Sequence, residues 1–190
     1  MINRIIICIA ALVLSTCNGE IWASDAITIP LHYGSNQISF SEGGEAGIAM
    51  LGRRENFNAH GFDVLTLYIK PRKTESNAID WQLVSLFDGE KEALTLTVGG
   101  GADCTLHDFR LVRDGTRGDV KLIVAERDAG SSYADYAPVH FKQYSLRRNN
   151  SAEVGRPLYY FDLVHNTKSK KVYCDVGEAF LSELGMRPYR

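Results

Sequence analysis

Apolar and polar residues alternate with a period of two along most of this chain, in short runs separated by turn-forming residues. Ile27 to Leu31, Gln37 to Phe40 and Gly47 to Leu51 come first, followed by Phe62 to Ile69. Trp81 to Phe87, Phe109 to Val112, Val120 to Ala125, Val139 to Leu146 and Leu158 to Val164 continue the series. Aromatic and β-branched residues fill these runs, as strands prefer. Phe62 to Ile69 is apolar on both parities, which predicts a central strand covered on both faces. Asp88-Gly89 and Asp114-Gly115 are hairpin dipeptides, Gly99-Gly100-Gly101 breaks the chain, and Asn149-Asn150-Ser151 marks a loop. Strand spacing of about ten residues without helical stretches between favours antiparallel pairing.

The period changes once, at the C-terminus. Asp175 suits an N-cap with Glu178 three residues on, and Val176, Ala179, Phe180 and Leu184 then fall on one helical face. Gly185 and Pro188 follow as stop signals. The expected fold is therefore mainly β: an antiparallel β-sheet domain, sandwich-like or barrel-like, with one C-terminal α-helix.

The first residues read differently. Arg4 precedes an unbroken apolar run from Ile5 to Leu14, and the small-residue stretch Trp22-Ala23-Ser24 follows. That is the layout of a secretory signal peptide over residues 1–24, too short to span a bilayer as an anchor. The single β-rich domain then covers 25–190. A rival is Leu14-Ser15-Thr16-Cys17 as a lipoprotein site, for which Thr16 is a poor fit. Removal of the leader leaves Cys104 and Cys174, and two cysteines in an oxidising compartment most simply form a disulfide, against the alternative of two buried thiols. The loop they close would contribute roughly 4 kcal/mol in the chain-entropy model. Cys174 directly precedes the helix cap, so the bridge would pin the helix to the sheet.

Charge narrows the partners. The formal net charge is −2, so no global field draws in nucleic acid or an anionic membrane. Lys168-Ser169-Lys170-Lys171 is the one basic cluster and reads as a solvated turn. Ser-x-x-Lys, Gly-x-Ser-x-Gly, His-x-His-x-Asp and His-Glu-x-x-His are all absent, which argues against the familiar β-lactamases and hydrolases. The five histidines, His32, His60, His107, His140 and His165, are dispersed, so no metal and no cofactor is expected. Tyr159 and Tyr160 read as core packing rather than interface.

Two polar stretches are candidates for recognition. Arg53, Arg54, Glu55, Asn56, Asn58 and His60 lie between two strand runs, and Glu126, Arg127, Asp128 and Tyr133 follow a third. Each places arginine beside a carboxylate. The planar guanidinium suits a ligand carboxylate, with Asn56, Asn58 and Tyr133 orienting it. Equally, these arginines and acids can pair with one another and hold the turns in shape.

The same stretches carry a family likeness. Gly52 to Asp63, Gly101-Ala102-Asp103-Cys104, Ile123 to Asp128 and Tyr173 to Phe180 resemble, in order, segments of the CarG family of carbapenem self-resistance proteins. The resemblance implies a periplasmic, non-hydrolytic protein that protects a cell from carbapenem (β-lactam) antibiotics by binding the drug or shielding its target. Family members often carry a calcium-loop-like segment before the arginine stretch. Here that region reads Ser41-Glu42-Gly43-Gly44-Glu45, with too few alternating acids for an oxygen cage. No metal and no catalytic residue is carried over. Two rivals stand beside this expectation: an exported module that binds a toxin or cell-wall hydrolase, and an unrecognised hydrolase. Whether the protein is a homodimer is left open.

Overall fold

The structure is a computed structural model, described for residues 26–41, 44–58, 61–71, 81–100, 103–115 and 117–190. The expected leader, Cys17 and His60 lie outside the described residues. The strands are β1 (Ile27–Thr28), β2 (Gly34–Ser39), β3 (Ala46–Arg54), β4 (Phe62–Lys70), β5 (Gln82–Leu83), β6 (Ser85–Asp88), β7 (Lys91–Ala93), β8 (Leu96–Gly100), β9 (Thr105–Arg113), β10 (Val120–Arg127), β11 (Ala137–Arg148) and β12 (Tyr159–Tyr173), and helix α1 (Val176–Leu184) follows. They form one path, β2-β3-β4-β8-β9-β10-β11-β12-β6-β7, with β1 added to β9 and β5 to β4. The path runs between two free ends and does not close into a barrel. Pairing is antiparallel throughout the described residues save for β6 beside β12, which is parallel. Consecutive strands set most of the antiparallel pairs, while β1–β9 and β4–β8 join segments further apart. The parallel pair joins segments far apart in the chain, which no local turn constrains.

The sheet folds over so that β2–β4 face β9–β12 across one core. Phe40, Leu51, Leu65 and Leu67 meet Phe109, Leu111, Leu122 and Phe161 there. The other face of β9–β11 builds a second core, in which Val112, Ile123, Ala125, Val139 and Phe141 lie against Val176, Ala179 and Phe180 of α1. β10 is therefore the strand covered on both faces. β4, expected in that role, is central in its pairing but hides only one parity fully, with Val64, Thr66 and Tyr68 half-buried. Among the described residues no helix covers its outer face.

Three further segments depart from the sequence expectation. Trp81 to Phe87 divides at Val84, whose N–H reaches across to the Leu67 carbonyl. The glycine run expected to break the chain instead ends β8, where Gly99 lets the strand pass close to Phe62; a Cβ there would lie 3.2 Å from that of Phe62. Lys168 to Lys171 lies within β12 and not in a turn: Lys168 stands opposite His140, and the strand runs through a register shift to Val172 opposite Pro138. Lysines on this exposed edge discourage pairing with another chain.

A nine-residue helix is marginal by itself, so its placement needs ties. The Asp175 carboxylate accepts from Gly177 N at 2.6 Å, which caps the helix, and from Thr105 N at 3.1 Å, which fastens the cap to β9. Cys104 and Cys174 are joined by a disulfide beside that contact. Gly185 takes the left-handed conformation (φ 66°), and the amide of Met186 turns back to the Phe180 carbonyl, as a helix terminus requires. Beneath the helix, Arg110 is almost fully buried. It donates to Asp108 and the Phe109 carbonyl, each at 2.6 Å, and its guanidinium lies 4.3 Å from the Phe180 ring centre.

The tail beyond α1 crosses back to the first core. Tyr189 stacks on Phe109 with ring centres 4.7 Å apart, and its carbonyl accepts from Leu31 N. The buried carboxylate of Asp63 on β4 gathers the end of the chain. It accepts from the Tyr33 hydroxyl at 2.9 Å and the Tyr189 hydroxyl at 3.3 Å, and it pairs with Arg190 at 2.9 Å and Arg53 at 3.4 Å. Asp63→Ala should lower the unfolding free energy by about 3–5 kcal/mol, because it strands the charges and hydroxyls that converge on it. A chemical-denaturant melt measures this. A loss under about 1 kcal/mol, typical of surface pairs, would show that the cluster does not hold the tail.

Candidate functional site

At one end of the folded sheet a cleft of about 620 Å³ opens between the two layers. Strand register explains its wall. Gly99 of β8 lies opposite His107 of β9, His107 opposite Glu126 of β10, and Glu126 opposite His140 of β11. Residues directly opposite one another share a sheet face, so His107, Glu126 and His140 stand in a row. Leu106, Phe62 and Thr97 add an apolar floor with one hydroxyl, and Asp128, Ala129 and Tyr133 form the rim.

Two acids dominate the polar part. Glu126 Oε2 is 2.8 Å from Lys142 Nζ, which also lies 3.2 Å from Asp88. Burial opposes the charge on Lys142, but its hydrogen bonds to Glu126 and Asp88 outweigh that and hold its pKa above the ordinary lysine value. Asp128 Oδ2 lies 3.8 Å from His140 Nε2. Among the described residues no three His, Cys, Asp or Glu side chains converge as metal ligands would.

The connection over residues 128–136 is held by its own hydrogen bonds. Arg127 is 3% exposed, and its terminal nitrogens donate to the Asp135 carbonyl and, at 2.8 Å, to the Tyr133 carbonyl. The carboxylate of Asp135 accepts from Ser131 Oγ at 2.7 Å, Ser131 N at 3.0 Å and Ser132 N at 2.8 Å. The loop thus rests on one buried guanidinium and one shared carboxylate. Arg127 lines the cleft, yet the hydrogen bonds of its guanidinium run to backbone and not to the neighbouring acids.

The first candidate stretch reaches the same cleft at one point. Arg53 pairs with Glu55 at 3.3 Å and with Asp63, while Glu55 also accepts from Asn56 N and Phe57 N, each at 2.9 Å. Those amides, with Arg53, hold the Glu55 carboxyl below its ordinary pKa. Asn56 and Asn58 lie on this turn and are not among the residues that line the cleft. Arg54 differs: its guanidinium lies 5.4 Å from the ring centre of Phe62, a cleft residue. Glu126, Arg127, Asp128 and Tyr133 are therefore brought together at the cleft, with Arg54 beside them. Sequence reasoning missed His107 and His140. Each falls on the correct parity of a readable strand, but only the register shows that both flank Glu126.

The family model described as "Carbapenem resistance protein CarG-like" matches residues 31–182, most of the chain. Among solved structures, a crystal structure of CarG superposes with a TM-score of 0.68 at 19% sequence identity, covering 82% of this chain and 94% of that one. At that identity the likeness shows a shared fold. No curated protein matches the chain.

The loop should respond to acid. Side-chain and backbone hydrogen bonds from Ser131 and Ser132 hold the Asp135 carboxyl below its ordinary value of 3.8. A depressed folded pKa means the contribution is complete above 3.8 and disappears as pH falls toward the lowered value. Hydrogen exchange at Ser131 and Ser132 should therefore lose protection as pH falls below 3.8, after correction for intrinsic rates. Asp135→Ala should show the same loss at neutral pH. Protection that stays unchanged in that variant would mean the loop is held by other contacts.

Proposed function

This chain belongs to the CarG-like family of carbapenem resistance proteins, and on that premise we propose that it protects a cell outside the cytoplasm by capturing carbapenem in the cleft without hydrolysing it. The observation that carries the reading is the cleft itself. At about 620 Å³ it falls in the size range of small-molecule sites, and it has the apolar floor and few converging polar groups such sites use. The export leader read from residues 1–24 supports action outside the cytoplasm.

Charge suggests how a drug lies. A carbapenem carries a ring carboxylate; Lys142 is already paired with Glu126 and Asp88 and Arg127 donates to carbonyls, so the carboxylate points toward Arg54 at the Phe62 edge. A positively charged substituent on the drug would then face Glu126 and Asp128. The cleft thus favours carbapenems that carry an amine or amidine over those that are purely anionic.

A second reading has one observation in its favour. Phe57, Tyr133 and Tyr136 are 96%, 56% and 68% exposed on the two candidate stretches and the connection after β10. Aromatic rings displayed this way suit a protein partner, such as the drug's target or a cell-wall hydrolase. A pull-down from envelope extract that recovers one stoichiometric partner, lost in a Phe57→Ser/Tyr136→Ser variant, would favour it.

For drug capture, calorimetry of the exported chain should show tighter binding of an amidine-bearing carbapenem than of an anionic one. Arg54→Ala should weaken both by about tenfold or more, the typical worth of a charged hydrogen bond. Glu126→Gln with Asp128→Asn should narrow the difference between the drugs. The β-lactam ring absorbance should stay constant throughout. Absence of both heat and thermal shift at millimolar drug rejects capture, and decay of the absorbance rejects the non-hydrolytic part.

A further inference from the structure

We propose that the opposite end of the folded sheet holds a second binding site, which takes a small multivalent oxyanion of the phosphate class. A cleft of about 310 Å³ lies there, at the start of β10 and the end of β11. Arg117, Lys121, Arg147 and Arg148 line it, with Asp119 as the one acid among its lining residues. Lys121 stands opposite Ser145 in register, which adds a hydroxyl between the cations.

The cleft is lined by more cations than acids. The neighbouring carboxylate of Asp114 is 2.8 Å from Lys121 Nζ, and it also accepts from Arg117 N at 3.2 Å. No ion pair joins Arg117 or Arg147 to a carboxylate among the described residues. Like charges gathered in a partly enclosed space repel more strongly than they would in open water. A bound anion relieves that repulsion, and guanidinium groups offer it paired N–H donors in the geometry phosphate oxygens accept. With Lys121 paired to Asp114 and Asp119 in the lining, the guanidinium groups of Arg117 and Arg147 are what an anion meets, and a phosphate or diphosphate group has oxygens enough to accept from both. The site is independent of carbapenem capture. From Lys121 to Glu126 along β10 is roughly 17 Å at about 3.3 Å per residue, and the two clefts share no lining residue.

The test is titration of the exported chain with inorganic pyrophosphate, followed by calorimetry and by backbone NMR. Pyrophosphate should bind at low ionic strength and more weakly as salt is added. Amide shifts should cluster at residues 117–121 and 145–148. The double variant Arg117→Ala/Arg147→Ala should weaken binding by about tenfold or more. Its melting temperature should hold, since both side chains are exposed. A vesicle arm separates the sources: sedimentation with phosphatidic acid vesicles that pyrophosphate reverses identifies a lipid headgroup, and binding of pyrophosphate alone identifies a soluble phosphate compound. The proposal is overturned if millimolar pyrophosphate gives no binding, if the double variant binds as tightly as the parent, or if the shifts fall at His107 and His140.

Discussion

The central part of the sheet, β9 to β11, must hide both of its faces, and this requirement organises the molecule. One face is covered by the chain's own folded-over strands, which form a broad core. The other has a helix of nine residues to cover it. Such a helix has little stability of its own, so burial of Val176, Ala179 and Phe180 depends on attachments at both ends. At its start the disulfide and Asp175 tie it to the beginning of β9. At its end the tail carries Tyr189 and Arg190 back to Asp63 on β4, linking the second core to the first.

Arginine 110 occupies the space between these cores at a cost. Burial pushes the Asp108 carboxyl above its ordinary pKa, although the adjacent guanidinium pulls the other way. A carboxyl whose folded pKa is raised contributes most below the unfolded value and loses that contribution as pH rises through the folded one. At neutral pH the pair is therefore a weak source of stability. Its effect is positional: the guanidinium lies against Phe180 and, at 5.6 Å, Tyr189, so the helix and the tail share one fixed cation. Breaking such a pair exposes a buried charge even where forming it adds little.

Much of this fold was legible, for reasons that can be named. Alternation located the long strands because one or both faces are apolar, and the N-cap, apolar face and Gly185 located the helix because each reflects a local backbone need. What escaped notice lacked those signals. β8 ends in glycines, and the far half of β12 is polar because it lies on an exposed edge. The candidate site was half legible. Glu126, Asp128 and Tyr133 are consecutive or nearly so, and they do meet at the cleft. His107 and His140 join them through register, which depends on which strands pair and in what alignment. Nothing in either histidine's own surroundings in the chain records that.

Adjacency of arginine and acid in a sequence leaves the role of the charge undecided, and the three best-placed arginines show why. Arg53 pairs with carboxylates, Arg54 lies over an aromatic ring, and Arg127 is buried against carbonyls. Burial separates them: Arg127, excluded from water, spends its terminal donors on carbonyls within the protein, whereas an arginine at a rim keeps donors for a ligand. The same reasoning explains how a chain of net charge −2 holds two unlike clefts. At the start of β10 the layers are stitched by Arg113 to the Ser39 carbonyl and by Val120 N to the Phe40 carbonyl, and the narrower cleft there is basic. At the far end of β10 the larger cleft is lined by Glu126 and Asp128 together with Arg127, and Glu126 there is paired with Lys142. The two ends of one strand thus differ in how their charges are met: in the larger cleft most are met within the protein, and in the narrower one cations outnumber acids.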